Sequence, residues 1–485
     1  PAPVSTVFFG GGTPSLLPPE GLIAILDALR RHFALAPGAE ITMEANPESA
    51  TPELLRAARS GGVNRLSLGV QSLDDTLLAL LGRPHTAAEA ARAVRDARGA
   101  GFENLSLDLI WGLPGQTPEH WLRTLRAALG LGPDHLSCYG LSLEPGTLLA
   151  LAAADAHSGL PPLPGDEALE RMYLDGGAVL DAAGFEHYEI SNHARPGRRC
   201  RHNLLCWQGR DYLGLGPAAV STLSARPLSF LPTPGMEATP GADDSGSIRW
   251  TNPEDPARWA AAVRAGQIGP GHSPSREALS AGQLRQEGLM LGLRTCLGVP
   301  LAELAGHEEF VRTLLERRLA TTDGARLCLT RAGMLLSSSI IEALVFELRR
   351  LRLGTRAAQN DRQHNWRILN AKGAPSASGE CARYVRYGGW NRSEASSYCP
   401  SSVSAAPLVT LSSSAGHTAT VGRVGTSDSM VGEGAPGVRG MAMVPLSTAP
   451  SSMLSDGVMR WPSNTECSCM WALLLAVASP MMLPL

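Results

Sequence analysis

From Val4 to about Tyr139 the chain repeats one pattern, in which a short apolar run gives way to a polar break and then to an amphipathic stretch. The runs Thr6–Phe9, Ile41–Glu44, Arg65–Val70, Leu105–Ile110 and His135–Tyr139 read as strands. The stretches between them carry helix-start signals: Pro18-Pro19-Glu20, Thr51-Pro52-Glu53, Thr86 with Glu89 as a capping box, and Thr117-Pro118-Glu119. Leu22, Ile23, Leu26, Leu29 and Phe33 fall on one helical face, as a helix packed on a sheet requires. A βαβα series of this kind predicts a parallel sheet, open or closed into a barrel.

The pattern then changes twice. Residues 141 to about 224 are mixed and rich in polar clusters, and "ARPLSFLPTPGMEATPGADDSGS" reads as a surface loop. Residues 251 to about 346 look helical, with "LCLTRAGMLLSSSII" resembling the strand, turn and helix of a small winged-helix unit. Beyond about Val345 no period of 2 or 3.6 is sustained, and the Ser, Gly, Ala and Pro content reads either as disorder or as a wrongly joined end. The expected units are therefore 1–140, 141–230, a loop over 231–250, a helical unit over 251–346 and a low-complexity tail over 347–485.

Composition narrows the chemistry. A net charge of −3 in 485 residues gives no electrostatic case for nucleic acid or an anionic membrane. The single lysine, Lys372, lies beyond the patterned region, which argues against a P-loop, a kinase or a Schiff-base enzyme over residues 1–371. The cysteines form no CxxC pair, so a zinc ribbon or thioredoxin motif is not expected. Pro1-Ala2-Pro3 runs straight into the first strand without a signal-peptide pattern, and the final "MWALLLAVASPMMLPL" is shorter than the roughly 20 residues of a span and broken by prolines. No stable membrane span and a cytoplasmic setting are the expectation.

In parallel α/β folds ligands bind at the carboxyl ends of strands. Here those ends carry Gly10-Gly11-Gly12-Thr13, then Glu44-Ala45-Asn46-Pro47, then Gln71, with Arg83 in the following "LGRPHT" and Asp108 near the end of the fourth strand. Each alone reads as a turn, a cap or an ion pair, but their joint occurrence at strand ends points to a site. Backbone groups around Gly11 and Gly12 suit an ammonium and a carboxylate, Glu44 and Asp108 can accept from ammonium and ribose hydroxyls, and Arg83 can clamp a carboxylate. The expected ligand is a small zwitterionic nucleoside.

Together "FFGGGTPS", "MEANPES", "NRLSLGVQSLDD", "LGRPHT" and "DLIWGLPGQT" resemble the radical S-adenosylmethionine superfamily, in the branch that holds oxygen-independent coproporphyrinogen III oxidase and the heme chaperone HemW. The resemblance runs from residue 4 to about 346. It implies a partial (β/α)6 TIM-like barrel, an α/β fold, with a C-terminal helical, winged-helix-like unit. It also implies that Gly11, Gly12, Thr13, Glu44, Gln71, Arg83, Asp108 and Ser142 contact S-adenosylmethionine. The 4Fe–4S cluster of this family is held by a CxxxCxxC loop after the strand preceding the glycine motif. No such motif is in the sequence, so the expected barrel lacks its first strand and that loop, leaves the next strand with an open edge, and does not hold the cluster as the chain is written.

The stretch Cys200-Arg201-His202-Asn203-Leu204-Leu205-Cys206-Trp207 resembles the HNxxYW signature of the chaperone branch, as does "LSLEPGT" at Leu141–Thr147. It makes His202, Asn203, Cys206 and Trp207 the candidate heme contacts: His202 offers an imidazole ligand, Trp207 a flat apolar face, and Cys206, standing where the family has tyrosine, a thiol. Val220 stands where that branch usually has a histidine. Heme delivery to acceptor proteins, with S-adenosylmethionine and the cluster in support, is the function so implied. Radical decarboxylation of coproporphyrinogen III is the alternative, with no nucleic acid as partner and a homodimer left open.

Overall fold

The computed structural model describes residues 3–223, 247–273, 275–353 and 409–411. The loop expected over 231–250 lies outside these up to residue 246, and so does the tail except for 347–353 and 409–411.

Five parallel strands alternate with helices, as the pattern predicts: β1 (Val4–Phe9), α1 (Pro19–His32), β2 (Leu35–Ala45), α2 (Pro52–Ser60), β3 (Arg65–Gln71), α3 (Asp75–Leu80), α4 (Ala87–Gly99), β4 (Leu105–Trp111), α5 (Pro118–Gly130) and β5 (His135–Gly140). The start signals act as read: Thr51 and Thr117 accept from backbone N–H groups in the first turns of α2 and α5, and Thr86 with Glu89 closes a capping box on α4. The short α3, capped by Asp74, has too few turns to leave a periodic trace in the sequence.

Next come α6 (Leu148–Ala154), α7 (Asp166–Ala182), the hairpin strands β6 (Glu186–Glu189) and β7 (Asn192–Ala194), α8 (Arg201–Trp207) and β8 (Leu213–Leu215). A three-stranded antiparallel sheet combines β9 (Val220–Leu223), β10 (Ser247–Thr251) and, after α9 (Pro256–Arg264), β11 (Glu277–Leu279); α10 (Ala281–Gly292) follows. The C-terminal unit has β12 (Val299–Pro300), α11 (Glu308–Glu316), β13 (Ala320–Thr322), β14 (Arg326–Leu329), α12 (Arg331–Leu335) and α13 (Ser337–Leu353) around a second small sheet. A last strand, β15 (Val409–Leu411), belongs to the main sheet.

The main sheet has the order β6-β7-β5-β4-β3-β2-β1-β15-β8. Two features differ from the expected purely parallel, open-edged sheet. Strand β7 pairs antiparallel with β5, because a tight hairpin rather than a helical crossover delivers it. The edge of β1 carries β15, paired in parallel at Phe8 and Thr410, and β15 in turn pairs with β8.

Side chains alternate across the strands and give the sheet two unlike faces. Val7, Phe9, Met43, Leu66, Leu68, Val70, Leu105, Leu107, Leu109 and Leu136 share one buried cluster with Leu22, Leu26 and Leu29 of α1. Each such side chain contributes about 1.5–3 kcal/mol on burial, which makes this layer the main source of stability. The opposite, concave face carries Thr6, Glu40, Thr42, Arg65, Ser67, Ser106, Asp108, His135 and Ser137, so the half-barrel is lined with polar groups.

Candidate functional site: the strand ends and the floor of the half-barrel

Past β1 the backbone turns through Gly11 (φ 75°) and Gly12 (φ 57°), left-handed values that favour glycine. Gly11 N–H donates to Glu44 Oε2 at 3.2 Å, joining the first two strand ends. A Cβ on Gly10 would lie 2.6 Å from the Phe8 ring and 3.2 Å from Glu44 Oε2, so nothing larger fits there. Asn46 joins the same pair of ends: its N–H donates to Ser15 Oγ at 3.2 Å and its side-chain amide to Thr13 Oγ1 at 3.5 Å.

Glu44 and Asp108 face each other across β3. Burial, with Asp108 as the next cause, pushes the Glu44 carboxyl up to about 7, against the pull of Gly11 N–H and Arg65. Burial also raises Asp108, although Ser137, Ser67, Arg65 and Ser106 act in the other direction. Ser67 Oγ donates to both Asp108 oxygens at 3.0 and 3.1 Å. Donors fixed on one side of a buried carboxylate leave its free lone pairs for a ligand.

Gln71 ends β3 with φ 62°, where the β3–β4 register shifts between Leu68 and Gln71. A left-handed non-glycine residue at such a shift re-aims its side chain at a local backbone cost of order 1–3 kcal/mol. A Cβ on Gly69 would stand 2.9 Å from both Gln71 Nε2 and Asn46 Oδ1, so this glycine leaves room for two amides. Gly11, Gly12, Thr13, Glu44, Gln71 and Asp108 are thus carried to one end of the sheet by four neighbouring strands. Arg83, half-exposed, lies in a loop that buried His85 pins through Nε2 to Val70 O (3.2 Å) and through Nδ1 to Glu48 (3.1 Å). Exposed Ser142 donates to Glu144 at 3.3 Å.

The second motif packs against β1 and β2, with Phe8 between it and the glycine turn. Helix α8 starts on Glu40, whose carboxylate accepts from Arg201 N–H (3.1 Å), His202 N–H (3.0 Å) and Cys200 Sγ (3.6 Å). A carboxylate at a helix N-terminus meets unpaired N–H groups and the positive end of the dipole. The His202 imidazole is fully buried, stacked on Phe8 at 4.6 Å, with Nδ1 3.2 Å from Thr6 Oγ1. Asn203 is buried with no partner for Oδ1 among the described residues. Trp207, also buried, bonds through its side chain to Glu189, a carboxyl that burial pushes up to about 7. Burial raises the Cys206 thiol, which leaves it neutral near pH 7. In this arrangement none of the motif's four candidate heme contacts is fully exposed.

Beside α8 on the same face stands a layer that the sequence reading did not single out: Glu40, Arg65, His135 and Tyr188. Tyr188 Oη is 2.7 Å from His135 Nε2, and His135 Nδ1 is 2.8 Å from Ser106 Oγ. Ser106 Oγ in turn donates to Asp108 at 3.4 Å. One signal was available: "RLSLGVQ" and "LSLDLIW" alternate polar and apolar residues, whereas a parallel strand buried on both apolar faces reads as a continuous hydrophobic run.

The upper end fits a cationic amino-acid nucleoside, since it combines a glycine cradle with two confined carboxylates. Among the described residues no group of three or more His, Cys, Asp or Glu could hold a metal ion, and no CxxxCxxC loop occurs in the sequence. The residues present therefore do not fit an iron–sulfur cluster. No helix among the described residues is long and apolar enough to cross a membrane.

Comparison with known proteins bears on this geometry. Residues 1–128 match the radical SAM superfamily. Over 343 residues the chain is 39% identical to the heme chaperone HemW of Mycobacterium tuberculosis, covering 70% of this chain and 81% of that one. Over 358 residues it is 37% identical to the mitochondrial radical S-adenosyl methionine domain-containing protein 1 of Bos taurus, covering 71% and 76%. Among solved structures, the coproporphyrinogen III oxidase HemN of Escherichia coli superposes with a TM-score of 0.54 at 22% identity, over 70% of this chain and 77% of that one, a likeness of fold alone.

Proposed function

Since this chain belongs to the HemW family of radical S-adenosylmethionine proteins, we propose that it is a heme chaperone, which binds heme and passes it to acceptor proteins in the cytoplasm. The observation that carries this reading is the 39% identity to a HemW over 343 residues and 81% of that protein's length. Heme is cargo, and S-adenosylmethionine is the resident nucleoside.

Gly11, Gly12, Thr13, Glu44, Gln71 and Asp108 would hold S-adenosylmethionine, with Arg83 and Ser142 as rim contacts. When bound, it supplies a sulfonium centre, a carbon–sulfur bond open to reductive cleavage and two amino-acid charges. The protein's part is positioning. The glycine turn presents backbone groups without side chains, Glu44 and Asp108 accept from ammonium and hydroxyl, and the hydroxyls of Ser67 and Ser106 keep Asp108 oriented. Neither carboxylate has to move to meet a cation, so little reorganisation opposes binding.

For heme we assign His202, with Asn203, Cys206 and Trp207 around it. Its imidazole is held by Thr6 and Phe8, so ligation of heme iron requires α8 to yield at that contact.

Heme titration followed by the Soret band tests the assignment. His202→Ala is expected to weaken binding by about tenfold or more, the loss of one axial ligand. Unchanged binding removes His202 from the site, and conversion of coproporphyrinogen by the chain would overturn the chaperone reading.

A further inference from the structure

Arg65 starts β3 on the concave face and is 2% exposed. It aligns with Thr42 of β2, and two residues further on Glu44 aligns with Ser67, the hydroxyl bonded to Asp108. On the same face Arg65 therefore stands one pair of residues below the level of Glu44 and two below that of Asp108. A buried arginine usually answers a particular acid with a close, often bidentate, pair. Arg65 has no hydrogen-bond partner for Nε among the described residues. Its charge is shared between the floor and the pocket.

We propose that Arg65 is the fixed counter-charge of the nucleoside pocket, a positioning residue whose charge offsets the burial of Glu44 and Asp108 so that they can hold a cationic amino-acid nucleoside. The inference rests on the reading of Glu44 and Asp108 as S-adenosylmethionine contacts.

The groups around each member support it. Glu44 feels Asp108, Arg65 and the Gly11 N–H. Asp108 feels Arg65 and the hydroxyls of Ser137, Ser67 and Ser106, and it lies near Cys138 and Tyr139, which burial keeps neutral. Arg65 itself faces Glu40, Cys200, Tyr188 and Asp108, and it lies near His135. Burial lowers His135 and raises Cys200 and Tyr188, so these three are uncharged near neutral pH. Arg65 is the one cation in this set, set against Glu40, Glu44 and Asp108. Without it, two buried carboxyls side by side would hold a proton more tightly, and a protonated carboxyl lacks the net charge that attracts an ammonium.

The sign follows from the direction of the shifts. Both carboxyls lie above their ordinary range, so the pocket gains negative charge as pH rises and loses it as pH falls through about 7, the Glu44 value. Removing Arg65 raises both further and moves this midpoint to higher pH.

The experiment is equilibrium dialysis of the full chain with S-adenosylmethionine from about pH 5.5 to 9, a range that spans the carboxyl midpoint. Arg65→Met and Arg65→Gln, one apolar and one polar, are expected to raise the binding midpoint by about one pH unit and to cost about tenfold in affinity at pH 7. Arg65→Lys, which keeps the charge, is expected to restore the wild-type profile. Difference infrared bands of the carboxylates should move by the same amount without ligand. Neutral variants that titrate with the wild-type midpoint would overturn the role of Arg65. Glu44→Gln and Asp108→Asn separate the two failures: if they bind S-adenosylmethionine as the wild type does, the pocket reading itself falls.

Discussion

Gln71 holds a left-handed backbone (φ 62°) that its side chain disfavours, at the strand end beside the two carboxylates. Strain persists where the surroundings over-determine it, and here the register shift against β4 and the space left by Gly69 fix the turn. Gln71→Gly is expected to stabilise the fold by up to about 1 kcal/mol while weakening nucleoside binding about tenfold, because it relieves the backbone and deletes the amide. Denaturant midpoints and dialysis measure the two separately; a variant that loses stability and keeps its affinity would show that Gln71 serves the fold alone. Residues of this kind divide by legibility. Gly11, Gly12, Glu44 and Asp108 are readable because chemistry and spacing coincide at strand ends. The strain at Gln71 and the charge of Arg65 are not, since a single polar residue within a strand looks like surface until the sheet curls round it.

At the scale of elements, α8 has seven residues, too short to persist in water without tertiary contacts. Glu40 satisfies its first N–H groups, and Trp207 secures its far end through Glu189. Nothing in "CRHNLLCW" announces this dependence, because the partners lie 160 residues upstream in β2 and in the first strand of the β6–β7 hairpin. By contrast α2, α4 and α5 carry their own caps and were legible in place and start. Glu40→Ala is therefore expected to loosen α8 while leaving those helices intact. Cys200, fully buried beside Glu40, reports the opening: its reaction with a thiol reagent should speed up by about tenfold or more, since a capping acceptor is worth about 1–2 kcal/mol. Equal rates in wild type and variant would mean that packing on Phe8 and Thr6 holds the helix without the carboxylate.

At the scale of the molecule, the C-terminal unit is fastened to the half-barrel through α7 and the β6–β7 hairpin. Ile190 N–H donates to Arg294 O, Cys296 N–H donates to Tyr188 O, and Arg331 of α12 forms a two-pronged pair with Asp181 at 2.7 and 2.8 Å. Asp181 is half-exposed, so that pair alone contributes no more than about 1 kcal/mol. The closer constraint is steric. Gly176 and Gly177 lie in the middle of α7, where glycine costs a helix about 1 kcal/mol relative to alanine. A Cβ on Gly176 would meet Trp121 at 2.7 Å, and one on Gly177 would run into the Arg331 guanidinium. The glycines thus give up helix stability so that α5 and α12 can approach, and two opposing effects of similar size decide the outcome of a substitution. In the intact molecule Gly177→Ala should destabilise by about 1–3 kcal/mol, overpacking winning over propensity. In an Arg331→Ala background the obstacle is gone, propensity prevails, and the same change should stabilise by up to about 1 kcal/mol. A double-mutant cycle in denaturant measures this reversal. An unchanged sign in both backgrounds would mean that Arg331 yields freely and that the unit is held by the backbone pairing at Tyr188 and Ile190.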